Sequence, residues 1–112
     1  MSLIGLDASR FTRATKIIAV ADVVESVRLM EHAEQDFITR WQAFVDFVHE
    51  LVLRESGHWH KSLGDGLMLQ FSDAQGCIRA ALAMQAWFQE SNRELPRSRQ
   101  AHLRDGAHLG MD

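Results

Sequence analysis

The stretch Lys16-Ile-Ile-Ala-Val-Ala-Asp-Val-Val24 constrains the fold more than any other part of the chain. It is β-branched and nearly continuously apolar, the pattern of a strand buried on both faces of a sheet. One residue breaks the run, Asp22. A charge at the end of a buried strand is costly unless it is paired, bound to a metal, or exposed at the strand terminus.

The rest of the sequence supplies what such a strand needs. A long helical pattern runs from about Ser26 to Ser56, with Phe37, Trp41, Phe44, Val45, Val48, Leu51 and Val52 at spacings of three and four, which puts them on one face. Gly57 is a good C-terminal stop. His58 to Leu63 alternates as a strand does. A Gly64-Asp65-Gly66 turn and the apolar segment Leu67-Met-Leu-Gln-Phe71 follow, so a hairpin is expected. Ser72 with Gln75 resembles a capping box for a second helix reaching about Asn92. There Ile78, Ala81, Leu82, Gln85 and Phe88 keep the helical period, and Cys77, Ala80 and Met84 widen the apolar stripe. Pro96, the only proline, lies in a polar connection from Arg93 to Gln100, and Ala101 to Gly110 reads as a weaker strand.

The order β-α-β-β-α-β predicts an α+β, ferredoxin-like domain: a four-stranded antiparallel sheet with two helices on one face. In that topology the first and third strands are the central pair. The end of the first strand, with Asp22, can then lie beside the hairpin tip, with Asp65. Two carboxylates brought together repel, and a divalent cation resolves the repulsion. Hard oxygen ligands suit Mg²⁺ or Mn²⁺, which leave positions for water and phosphate. Taken alone, Asp65 in an Asp-Gly turn is also a common hairpin signal, and Asp22 can be a solvated strand end.

Composition narrows the classes further. The 112 residues fit one domain, with residues 1 to 14 read as an arm and 15 to 112 as the domain. A formal net charge of −3 gives no reason to expect nucleic acid or an anionic membrane surface as partner. One cysteine, Cys77, allows no intrachain disulfide, and a reducing, cytoplasmic setting is the default. No apolar run approaches a membrane span, so no membrane is expected. His58 and His60 flank Trp59 and are expected on one strand face, but two such ligands make no structural zinc site. Trp41, Trp59 and Trp87 are read as core or dimer contacts, and Cys77 as buried packing.

Four segments together resemble the catalytic domain of class III adenylate and guanylate cyclases of the bacterial type. They are Ala21-Asp-Val-Val-Glu-Ser-Val-Arg-Leu-Met30, Lys61-Ser-Leu-Gly-Asp-Gly-Leu-Met-Leu-Gln-Phe71, Ala80-Ala-Leu-Ala-Met-Gln85 and Arg104-Asp-Gly-Ala-His-Leu-Gly110. The resemblance covers roughly residues 15 to 110. It implies conversion of ATP to cyclic AMP, or GTP to cyclic GMP, with release of pyrophosphate: a phosphorus-oxygen lyase of signal transduction. It implies two metal ions per site, Mg²⁺ or Mn²⁺, held by Asp22, Asp65 and the backbone carbonyl of Val23. Val24, Glu25, Ser26 and Val27 match the loop that receives the triphosphate, flanked in space by the hairpin glycines Gly64 and Gly66. Lys61 matches the residue that reads the purine base, and a lysine there usually goes with adenine. The resemblance also implies a homodimer whose sites draw residues from both subunits.

The sequence departs from the family in two places. Glu25 stands where the family usually has a glycine that lets the backbone approach phosphate, and Val27 replaces a common hydroxyl residue. The family's Asn-x-x-x-Arg pair, which orients the ribose and stabilises the transition state, does not occur: the only asparagine is Asn92, with Pro96 four residues on. No catalytic residue of that kind is therefore identified. The domain is expected to be truncated at its C-terminus, and the short chain weak or inactive, since losing a donor of this kind costs about 10²–10³ in rate. The rival expectation is a non-catalytic cyclase-fold module for dimerisation or regulation that has lost triphosphate binding.

Overall fold

The computed structural model describes residues 15–62, 64 and 66–111. Strand β1 spans Thr15–Val23, helix α1 Ser26–Arg54, strand β2 Gly57–Ser62, strand β3 Gly66–Phe71, helix α2 Ala74–Asn92 and strand β4 Leu103–Met111, with a short 3₁₀ turn at Arg97–Arg99 before β4. The sheet order is β2-β3-β1-β4, and every neighbouring pair is antiparallel. This is the expected βαββαβ arrangement, with β1 and β3 as the central pair. The predicted arm, residues 1 to 14, lies outside the described residues.

The core forms where the helices meet one face of the sheet. Ala19, Ala21 and Val23 of β1, Leu67, Leu69 and Phe71 of β3, and Leu103 of β4 are buried there against Leu29, Phe37, Phe44, Val48, Leu51 and Val52 of α1 and Cys77, Ala80, Met84 and Phe88 of α2. Phe44 is fully buried and meets Phe88 at 4.6 Å, Trp87 at 5.3 Å and Trp41 at 5.4 Å between ring centroids. Such tilted ring pairs add about 0.5–1.5 kcal/mol each beyond their area. The tryptophans are thus partly buried core contacts, and Trp59 stacks on His49 of α1 at 4.1 Å. Cys77 is buried, as expected.

Three expectations need correction. First, β1 is fully buried on one face only: Lys16, Ile18, Val20 and Asp22 are half-buried, because both helices pack on the other side. Second, the buried stripe of α2 is Cys77, Ala80, Met84 and Phe88, while Ile78 and Leu82 are 58% and 65% exposed. The helix is apolar over more than half its circumference, so periodicity alone does not choose the line that faces the sheet. Third, α2 is capped by Asp73, not Ser72; its carboxylate accepts from the Gly76 backbone N–H at 2.6 Å. Either residue can serve as cap, and the extended backbone of Asp73 is the one that places an oxygen over the third N–H.

The connection from α2 to β4 is fixed by a polar clasp. Asn92, 9% exposed, donates to the Ala101 carbonyl at 2.7 Å and accepts from the Ala101 N–H at 2.9 Å. Arg40 of α1 donates to the same Asn92 oxygen at 2.7 Å, to Ser91 Oγ at 2.9 Å and to the Arg99 carbonyl at 2.8 Å. Each buried amide group therefore has a partner, as an interior requires. The clasp delivers β4 into register beside β1.

Candidate functional site

Asp22 is the penultimate residue of β1. Its direct partner in β3 is Gly66 and its partner in β4 is Arg104. Gly66 fits closely at that place: a Cβ would lie 3.0 Å from the Ala21 carbonyl and 3.2 Å from the Asp22 Cβ, so a larger residue would push on the end of β1. Gly66, the last residue of the Gly-Asp-Gly segment, thus lies against the end of β1, as the topology predicted. Asp65 itself lies outside the described residues. Gly64 has φ +74°, a left-handed conformation that glycine adopts without strain.

After Val23 the chain turns through Val24 and Glu25 into α1. The Val24 N–H donates to the His102 carbonyl at 2.8 Å, which fixes the turn to the start of β4. Glu25 is the N-cap of α1 with φ 57° and ψ 39°, and its side chain makes no cap hydrogen bond. A β-carbon in this conformation costs roughly 1–2 kcal/mol. The position where sequence comparison expects glycine is thus a left-handed one that glycine would suit, and the glutamate side chain is exposed. It lies 3.8 Å from Arg28, whose guanidinium also donates to the Ser98 carbonyl at 3.1 Å. Ser26 is half-buried and Val27 is 69% exposed.

Lys61 is exposed on β2 and pairs with Met68 of β3, two residues along the sheet from the Asp22–Gly66 pair. At about 4.8 Å per strand, two strand spacings separate β2 from β1, so Lys61 belongs to a different part of the surface from Asp22. The register shifts between Trp59 and Lys61. His58 and His60 are both exposed on either side of the half-buried Trp59, as expected, and the alternation is lost only beyond His60, where Lys61 and Ser62 are both exposed. Among the described residues no group of three or more His, Cys, Asp or Glu is placed to hold a metal ion.

Two neighbouring residues of β4 that sequence reasoning passed over flank the end of β1, one on each face of the sheet. Arg104 binds Asp22 with both ends of its fork: Nε donates to Oδ1 at 3.1 Å and Nη2 to Oδ2 at 3.0 Å. That hydrogen bond and the Asp22 charge push the guanidinium pKa above its ordinary value. Asp105, on the opposite face, is half-buried against α2. Gln85 donates to its Oδ2 at 3.2 Å and to the Leu103 carbonyl at 2.8 Å, while Oδ1 is buried without a partner among the described residues. Burial pushes the Asp105 carboxyl up, the Gln85 hydrogen bond opposes that, and the Asp22 charge adds to it. A cavity of about 220 Å³ beside it is lined by Ala19, Cys77, Met84 and Ala107 among others. The signal for both residues was an Arg-Asp pair inside a strand, where consecutive charges must go to opposite faces.

No protein-family model matches the chain. The chain is 33% identical over 102 residues to a Rhizobium meliloti (strain 1021) protein named "Putative adenylate cyclase 3", in a match covering 88% of this chain and 17% of that protein. Among solved structures it is similar to an adenylate/guanylate cyclase/hydrolase from Silicibacter pomeroyi, with TM-score 0.76, 29% identity, and 88% and 58% of the two chains covered. The adenylyl cyclase CyaB from P. aeruginosa shares the fold at TM-score 0.72 and 17% identity, with 88% and 57% covered. The chain thus spans 17% of the curated relative and under two thirds of these solved chains.

Proposed function

This chain is similar in sequence and in fold to class III adenylate/guanylate cyclase catalytic domains, and on that premise we propose that it serves as a nucleotidyl cyclase-type module that takes ATP toward cyclic AMP and pyrophosphate. One observation carries the reading: Asp22, penultimate in β1, stands directly opposite Gly66, the residue that follows Asp65. Asp22 and the residue that follows Asp65 are thus cross-strand partners, which supports reading the two carboxylates as one site.

The donors fit a divalent cation. Asp22 presents two hard oxygens that are already engaged by a cation, the Arg104 guanidinium. Asp22, Asp65 and the Val23 carbonyl would hold Mg²⁺ or Mn²⁺, which when bound lowers the pKa of the ribose 3′-hydroxyl and offsets charge on the α-phosphate. The turn Val24 to Val27 opens onto the N-terminus of α1, whose backbone N–H groups suit the triphosphate. Glu25 opposes that by its charge. Lys61 lies apart from Asp22 within one chain, which accords with a base-reading role across a homodimer. In the reaction the 3′-oxygen forms a bond to the α-phosphorus, the bond to pyrophosphate breaks, and the hydroxyl proton passes to solvent.

Calorimetric titration of Mn²⁺ with a non-cyclisable ATP analogue tests this on the chain, Asp22→Asn and Asp65→Asn. Binding by the chain that either substitution abolishes is the expected result. Binding that survives both substitutions would overturn the assignment of the carboxylates. Absence of binding by the folded chain would leave a cyclase-shaped scaffold.

A further inference from the structure

The carboxylate of Asp22 is already occupied. Both its oxygens accept from one guanidinium, at 3.1 and 3.0 Å, in the side-by-side fork geometry that makes arginine–carboxylate pairs specific. The pairing follows from the sheet itself, since Asp22 and Arg104 stand directly opposite in the β1–β4 register. A metal ion would need the same oxygens. Arginine keeps its charge at any relevant pH, so the guanidinium cannot be cleared by losing a proton. It can be cleared by swinging out: its side chain is 69% exposed, on a long flexible stem. Beside the pair lies a cleft of about 230 Å³, lined by Val20, Asp22, Arg104, Asp105 and Gly106. At about 30 Å³ per water it has room for an ion that keeps several waters.

We propose that Arg104 is an internal competitor for the divalent cation: it occupies Asp22 when the metal is absent, and metal enters by displacing the guanidinium fork. The proposal rests on the reading of Asp22 as a metal ligand. It makes Arg104 a positioning residue that sets metal affinity and holds the carboxylate oriented in the interval. Exposed ion pairs are weak, so the competition is a modest tuning and not a block.

The test is Mn²⁺ binding to the 112-residue chain, followed by the loss of the free-ion electron paramagnetic resonance signal, without nucleotide. Asp22→Asn, Arg104→Gln, Arg104→Lys and Arg93→Gln are compared with the parent chain, each checked for folding by circular dichroism. The expected result is that Arg104→Gln binds Mn²⁺ about two- to fivefold more tightly, the upper part of the range that releasing an exposed pair allows. Arg104→Lys, which keeps the charge and loses the fork, should gain part of that. Arg93→Gln removes an equal charge on α2's C-terminal side and should change little. Equal tightening by Arg93→Gln and Arg104→Gln, with none by Arg104→Lys, would reduce the effect to net charge and overturn the proposal. So would unchanged affinity in Arg104→Gln while Asp22→Asn abolishes binding. If Asp22→Asn leaves Mn²⁺ binding intact, the metal assignment itself fails. In the parent chain, the Arg104 Nε–H resonance should move with the Mg²⁺ titration, and a resonance that stays fixed at saturation would also overturn displacement.

Discussion

Arg40 and Arg104 each reach across elements far apart in sequence, and they do opposite work. Arg40 lies half-buried between α1 and the end of α2, with three acceptors on Ser91, Asn92 and Arg99. Desolvation lowers its pKa, and the Asp36 charge opposes that. Arg104 lies in solvent with a single carboxylate. A buried polar group must keep every partner, because leaving one unmade costs about 1–3 kcal/mol. An exposed pair can open at little cost, because water replaces each contact. The first kind of arginine fixes a fold, and the second kind is free to exchange partners.

The comparison breaks most readily at Asn92. Asn92→Ala leaves the Ala101 N–H and carbonyl buried without partners and strips an acceptor from Arg40. A loss of about 3 kcal/mol is expected in denaturant unfolding. A loss no larger than that of any surface substitution would remove the clasp from the architecture. Arg40→Gln should cost less, about 2 kcal/mol, since its acceptors remain partly reachable by water.

Glu25→Gly should change stability by no more than about 1 kcal/mol, because relief of the left-handed backbone is offset by the entropy of an added glycine. Its visible effect should be tighter binding of a triphosphate analogue, since a negative charge leaves the phosphate loop. Weaker binding would mean that Glu25 serves the loop and does not oppose it.

Asp105 sharpens the contrast through pH. Its carboxyl is raised mainly by burial, so the folded chain holds a proton that the unfolded chain has released. Stability should therefore fall as pH rises from the ordinary carboxylate range through the raised value. Asp105→Asn should flatten that slope and raise the melting temperature at neutral pH. An unchanged slope would show that Oδ1 finds water in the adjoining cavity. Arg104→Gln stands at the small end, with an unfolding midpoint close to the parent chain's, and a large shift would place Arg104 with the structural arginines.

Much of this was legible beforehand, for reasons that differ by element. The apolar run at Lys16–Val24, the three-four spacing from Phe37 to Val52 and the Gly-Asp-Gly turn are local signals, and local signals set element type. The order of those elements then restricted the topology, so the approach of the hairpin to the end of β1 could be anticipated. The exposed side of α2 was misread because Ile78 and Leu82 are as apolar as the residues that do face the sheet. Ser72 and Asp73 are both competent caps, and only the backbone entering α2 separates them.

The sequence by itself determined the fold class, the central place of β1 and the residue types near its end. Those follow from hydrophobic period and turn chemistry, which act over a few residues. Only the tertiary structure decided that Arg104 faces Asp22, that Asp105 turns inward against Gln85, and that Glu25 sits in a left-handed turn. The first two follow from the register between β1 and β4, strands some eighty residues apart, where slipping by one residue would exchange the roles of the two neighbours in the Arg104-Asp105 pair.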